Sequence, residues 1–180
     1  MTKFKLVLAL FVGAILSGHT QSQRVEGTII KDFGATFSVD NPDIKTKTSD
    51  VFKIILDVSQ SSNDRNVMNK NIVTAARFLN MHANEGMPAK NLKAAMTIHA
   101  GAWQDILTNK AYKEKYGINN PNHELINQLT AAGVEIILCG QTASYRNIKR
   151  EDMHPNVKLA LSAMTALIQY QNDGYTFIKF

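Results

Sequence analysis

Strand-length apolar runs that alternate with helical stripes predict an α/β protein, with a mainly parallel sheet of about five strands and helices on both faces. Three observations carry this. Residues 51–58 (Val-Phe-Lys-Ile-Ile-Leu-Asp-Val) and 134–138 (Val-Glu-Ile-Ile-Leu) are nearly continuous apolar runs, the mark of strands buried on both faces. The first run is followed by apolar residues at helical spacing, and a second such stripe leads into the later run. Connections of that length between strands imply right-handed crossovers and parallel pairing.

The first residues differ in kind from the rest. Lys3 and Lys5 precede an apolar run over residues 6–16, and a polar stretch over 17–22 follows, the three regions of a secretory signal. The run is well short of the roughly 20 residues a membrane-spanning helix needs. Thr20 and Ser22 suit the small-residue positions of a cleavage site, so residues 1–22 are expected to be removed and the protein exported, to a periplasm or beyond. The alternative is an uncleaved anchor or a buried N-terminal helix. No cysteine follows the run, which argues against a lipid anchor. No other stretch is long and apolar enough for stable membrane insertion. Losing Lys3 and Lys5 lowers the formal charge of +5 by two without leaving any run of like charge, a balance that gives little support to nucleic-acid binding.

Residues 23–50 read as an extended polar arm with irregularly spaced Val25, Ile29, Ile30, Phe33, Phe37 and Val39, a short strand at 36–39, and a turn at Asn41-Pro42-Asp43. Packing is expected on the domain or on a neighbouring chain. Residues 51–180 form the domain. After the strand at 51–58, Met68, Ile72, Ala75, Ala76 and Leu79 mark a helix over 63–85 that stops at Gly86. Residues 92–99 give a second strand. Short helical stretches at 103–107 and 109–116 follow, the latter stopped by Gly117. Asn120-Pro121 supplies an N-cap and first-turn pair for a helix through Leu125, Leu129 and Ala132. The third strand, 134–138, leads into a helical turn at 141–147. Residues 156–161 suit a short strand, 162–171 a helix, and 175–178 a last strand after the Asp173-Gly174 turn.

Reactive groups in open α/β sheets collect beyond the carboxyl ends of the strands. Asp57 and Ser59 stand there after the first strand, His99 after the second, and Cys139, Gly140 and Gln141 after the third. Cys139 is the single cysteine, so no intramolecular disulfide is available and the thiol must be reactive, packed or paired between chains. At a helix start the dipole is worth about 0.3–1 kcal/mol, too little by itself to make a strong nucleophile. Arg146 and His99 are the cations expected to assist. The bland reading is a small buried hydrophobe. Asp57 is either a buried carboxylate raised by its apolar strand or a loop cap. The hydroxyls of 59–63 lack the glycines of a phosphate cradle, which disfavours nucleotide or flavin cofactors. His82, His99, His123 and His154 show no ligand spacing, and no metal site is expected.

Taken together, Phe52-Lys53-Ile54-Ile55-Leu56-Asp57-Val58, Ala75-Ala76-Arg77-Phe78-Leu79-Asn80, Ile98-His99-Ala100-Gly101, Asn119-Asn120-Pro121-Asn122, residues 134–141 and residues 161–167 resemble the DsrE/DsrF-like family of small sulfur-relay-type proteins over about residues 51–180. The resemblance implies a three-layer α/β/α sandwich, assembly into homo-oligomers or related hetero-oligomers, and a persulfide on Cys139 passed to a thiol-bearing partner. Some relatives lack the cysteine, and the better understood ones are not exported. The alternative from another class is a non-catalytic oligomeric binding module of the same fold with a packed, unreactive thiol.

Overall fold

The computed structural model describes residues 23–179; the expected leader lies outside the described residues. Five parallel strands form the central sheet: β3 (Phe52–Val58), β4 (Leu92–Ile98), β5 (Glu135–Cys139), β6 (Lys158–Ala160) and β7 (Thr176–Ile178), in the order β6-β5-β4-β3-β7. The helices α1 (Lys70–Asn84), α2 (Asn109–Tyr116), α3 (His123–Ala131) and α4 (Gly140–Tyr145) lie in connections that step from β3 to β6 in one direction across the sheet. Right-handed crossovers put these helices on one face. α5 (Ala163–Asn172) leads from β6 back to β7 at the opposite edge, and so covers the other face. The result is the three-layer α/β/α architecture.

Strand alternation sorts the core. Ile136 and Leu138 of β5 turn towards the α1–α3 face with Leu125 and Leu129, while Ile137 and Cys139 turn towards α5; all are buried.

One local expectation is corrected and another is extended. The helix expected over 63–85 begins only at Lys70, because Asn69 is the cap: its side chain accepts from the Asn71 N–H at 2.9 Å. Its own N–H donates to Asn122 Oδ1 at 2.8 Å, and its amide donates to the Gln60 carbonyl at 2.8 Å, so residues before it are tied down as a loop. Asn120 caps the turn that leads into α3 as expected, its Oδ1 accepting from the Asn122 N–H at 2.9 Å and its carbonyl from the His123 N–H at 3.1 Å, although the regular helix begins only at His123. Asn120 is also buried, its amide nitrogen donating to the carbonyls of Asp105 (2.8 Å) and Leu107 (2.7 Å).

The arm runs through a two-stranded antiparallel ladder, β1 (Arg24–Val25) against β2 (Thr36–Phe37). Between them the chain is clasped by Asn80 of α1, which is fully buried. Asn80 accepts from Ile30 N–H at 2.9 Å and donates to the carbonyls of Ile30 and Phe33, each at 2.9 Å.

Candidate functional site

Cys139 ends β5 and occupies the cap position of α4, with a relative exposure of 6%. Because β6 runs beside β5 in the register Cys139↔Ala160, the chain leaving β6 brings the first residue of α5 next to the sulfur. Two helix starts therefore converge on one thiol. Burial is the largest single influence and pushes the thiol up; against it act the Thr142 N–H, the Ala163 N–H, the Thr142 hydroxyl and the Gln141 N–H. The donors win, and the thiol lies below its ordinary value. These are first-turn N–H groups that lack partners within their helices.

Gly140 makes this approach possible. A Cβ there would stand 2.5 Å from the Ala160 carbonyl oxygen and 2.9 Å from that of Leu161, so only glycine lets α4 start against β6. The Gln141 amide donates to the Leu161 carbonyl at 3.2 Å, tying the two segments. Thr142 has a second tie, its hydroxyl oxygen accepting from the Ala100 N–H at 3.3 Å. Ala100 holds a φ of +46°, an unfavourable left-handed conformation for a residue with a side chain.

The two expected cations make their contacts elsewhere. The Arg146 guanidinium sits over the rings of Trp103 and Tyr145, at 5.9 and 5.2 Å from their centroids, and the side chain is otherwise exposed. His99 Nε2 is paired with Asp57 Oδ1 at 2.7 Å, and Lys179 Nζ with Asp57 Oδ2 at 2.8 Å. The groups that depress the thiol are neutral donors, so its polarisation comes from three backbone N–H dipoles and one hydroxyl. Asp57 also departs from one expectation. Burial pushes its carboxyl up, but the bonds from Lys179 and His99 more than offset this and hold it below the usual carboxylate range. A depressed carboxyl stabilises the fold above its unfolded-state value, and that contribution is lost as pH falls through the folded value. Ser59 contributes its carbonyl, which accepts from the Gly101 N–H at 2.9 Å and shapes the loop beside His99.

Sequence reasoning missed the polar cluster that braces this end of the sheet. Asp105 is 2% exposed, accepting from Ser61 Oγ and Asn69 Nδ2, both at 2.7 Å. Burial raises its carboxyl above the ordinary range despite those bonds and the Arg65 charge. Nothing local marks Asp105, which sits in an irregular 3₁₀ stretch (Ala100–Ile106); the unusual density of asparagine at 119–122 was the available signal. Among the described residues no cluster of three or more His, Cys, Asp or Glu could hold a metal, and no helix is long and apolar enough to cross a membrane.

A parallel α/β sandwich with one polarised thiol at a strand end is the class these features define. The DsrE/DsrF-like family matches residues 53–180, most of the chain, and the protein belongs to that family. Two solved structures share the fold. One is a protein of unknown function, MTH1491 from Methanobacterium thermoautotrophicum, with 12% identity and a TM-score of 0.54, covering 72% of this chain and 99% of its own. The other is the ychN protein from E. coli, with 17% identity and a TM-score of 0.54, covering 72% of this chain and 100% of its own. No curated protein matches the chain.

Thr142 offers a direct check on the origin of the thiol's acidity. Thr142→Val keeps the volume and removes the hydroxyl donor, leaving the Ala100 N–H to water. The pH midpoint of iodoacetamide alkylation is expected to move up, with labelling at neutral pH slower by about three- to tenfold. An unchanged midpoint would show that this hydroxyl does not act on the sulfur.

Proposed function

We propose that the protein is an exported sulfur carrier that holds a persulfide on Cys139. What supports this reading is the position of the chain's single cysteine, at the end of β5 where the starts of α4 and α5 meet, with nearby N–H groups holding the thiol below its ordinary value. The arrangement serves chemistry more than stability. A group with a depressed folded-state pKa adds stability only as pH climbs through that value towards the ordinary thiol range, so near neutrality the donors add little to the fold. What they favour is the anion.

The Cys139 thiolate attacks the outer sulfur of a donor persulfide, R–S–SH. A new S–S bond forms on Cys139, the donor's S–S bond breaks, and the donor's inner sulfur leaves as a thiolate with the electron pair. The transferred sulfur keeps its proton. Delivery repeats the exchange with a partner thiolate as nucleophile and Cys139 as leaving group, and a low leaving-group pKa speeds that step. No external oxidant or reductant is required. His99, oriented through Nε2 by Asp57, is the candidate for handling a proton at the rim; Arg146 adds positive charge at the approach. Leu161, Met164 and Ile168 are exposed at 73%, 71% and 59%, and they support self-association or docking of a thiol-bearing partner beside α5.

Incubation with a persulfide donor followed by intact-mass measurement is expected to show a gain of one sulfur atom that reductant removes and that Cys139→Ala lacks. Absence of that adduct in the native protein would exclude the carrier role. The low exposure of the sulfur favours a second reading, a binding module with a packed thiol. It predicts that alkylation stays slow until denaturant is added.

A further inference from the structure

A second site lies on the opposite face from the thiol. Phe52, Ile54 and Leu56 of β3 alternate onto the α1 face, and the register Ile54↔Thr176 and Leu56↔Ile178 continues that surface onto β7. β7 is the edge of the sheet, and among the described residues no strand pairs beyond it. α1 forms one wall and the arm closes one end, where Phe37 and Met81 remain 62% and 45% exposed. The open-sided trough has a volume of about 1090 Å³, at the upper limit of small-molecule clefts.

Its charge is one-sided. Among the described residues, Lys70 and Arg77 stand exposed on the α1 lip without an ion-pair partner, and no acidic residue lines the trough. They are two helical turns apart, roughly 10 Å along the axis, so an anionic group can meet either while an apolar chain lies over β3 and β7. We propose that this trough binds a single-chain amphiphile with an anionic headgroup, carboxylate, sulfate or phosphate. A peptide added as a strand is disfavoured because β7 offers only three paired residues as a template. A two-fold copy is disfavoured because a self-complementary interface through this trough would bring two cationic lips together with no acid to meet them.

The test is titration of the protein with dansyl-labelled undecanoate, read by fluorescence, and then displacement by dodecanoate below its micelle range. Saturable binding is expected, with dodecyltrimethylammonium displacing at least about tenfold more weakly, a difference of about 1.4 kcal/mol. Lys70→Gln with Arg77→Gln, both at exposed positions, is expected to erase that preference without lowering the thermal midpoint. Thr74→Trp, which fills the trough, is expected to weaken the probe at least about tenfold and to leave Cys139 alkylation unchanged. Dodecyl sulfate and dodecyl phosphate then rank the headgroups. No saturable binding, equal displacement by the cationic amphiphile, or a dimer that Thr74→Trp dissolves would each overturn the proposal. None of these results depends on the sulfur chemistry, so the two readings fail separately.

Discussion

Gly140→Ala is expected to destabilise the protein by about 1–3 kcal/mol and to raise the pH midpoint of Cys139 alkylation, through one displacement. The added methyl would meet the Ala160 carbonyl oxygen at 2.5 Å and that of Leu161 at 2.9 Å, and both are backbone atoms that no rotamer change can move. Relief requires β6 to shift away from β5. Only Leu161 and Ser162 separate β6 from Ala163, so the Ala163 N–H moves off the sulfur with it, and the thiol loses one of the donors that outweigh its burial. Gly86→Ala separates this from a general glycine effect. Gly86 holds a φ of +94° with nothing within 4 Å of its added methyl, so the substitution strains only the local backbone. It is expected to cost about 1 kcal/mol and to leave alkylation untouched. A Gly140→Ala protein with lowered stability and an unchanged alkylation midpoint would show that β6 does not position the donors.

The same geometry explains which parts of the site were legible in the sequence. A run such as Glu135-Ile136-Ile137-Leu138 announces a strand by itself, and the parallel architecture places its carboxyl end at the functional rim, so Cys139 could be located from local pattern. The Ala163 N–H could not. Its position depends on β6, a strand legible over 156–161 whose partner is not, pairing with β5 over three residues and delivering α5 to the same sulfur. Arg146 was a reasonable candidate because it lies on the helix that follows the cysteine, but the aromatic faces of Trp103 and Tyr145 hold it. Asp57 changed sign for a related reason. Its own strand is apolar and argues for a raised value, whereas Lys179, at the far end of the chain, supplies the charge that lowers it. Asn69 and Asn120 each do two things: the side-chain oxygen caps a local helix start, while the amide nitrogen makes long-range bonds into the cluster around Asp105, and only the first of these is local pattern.

Asn80 carries the other large expected effect, and two substitutions there separate its roles. Its amide is oriented by its neighbours: the oxygen faces the N–H groups of Ile29 and Ile30, and the nitrogen faces the carbonyls of Ile30, Phe33 and Gly34. Asn80→Ala leaves these groups without partners in a packed contact, at an expected cost of about 2–4 kcal/mol, moderated because the arm can detach and hydrate. Asn80→Asp keeps the acceptor for the two N–H groups but turns a carboxylate oxygen towards three carbonyls. Loss of a donor together with like-sign repulsion in a buried site makes this variant at least as damaging. In both, limited proteolysis is expected to cut within residues 23–50 while the sheet domain survives, because the β3–β4–β5 ladder pairs without the arm and loses only the packing of Ile30 and its neighbours on its core. The trough gives a second readout: β2 closes one of its ends, so freeing the arm should weaken the acyl probe even though Lys70 and Arg77 are unchanged. An arm still resistant to protease in Asn80→Asp would mean that the β1–β2 ladder and the packing of Ile30, itself 1% exposed, hold the segment without the amide.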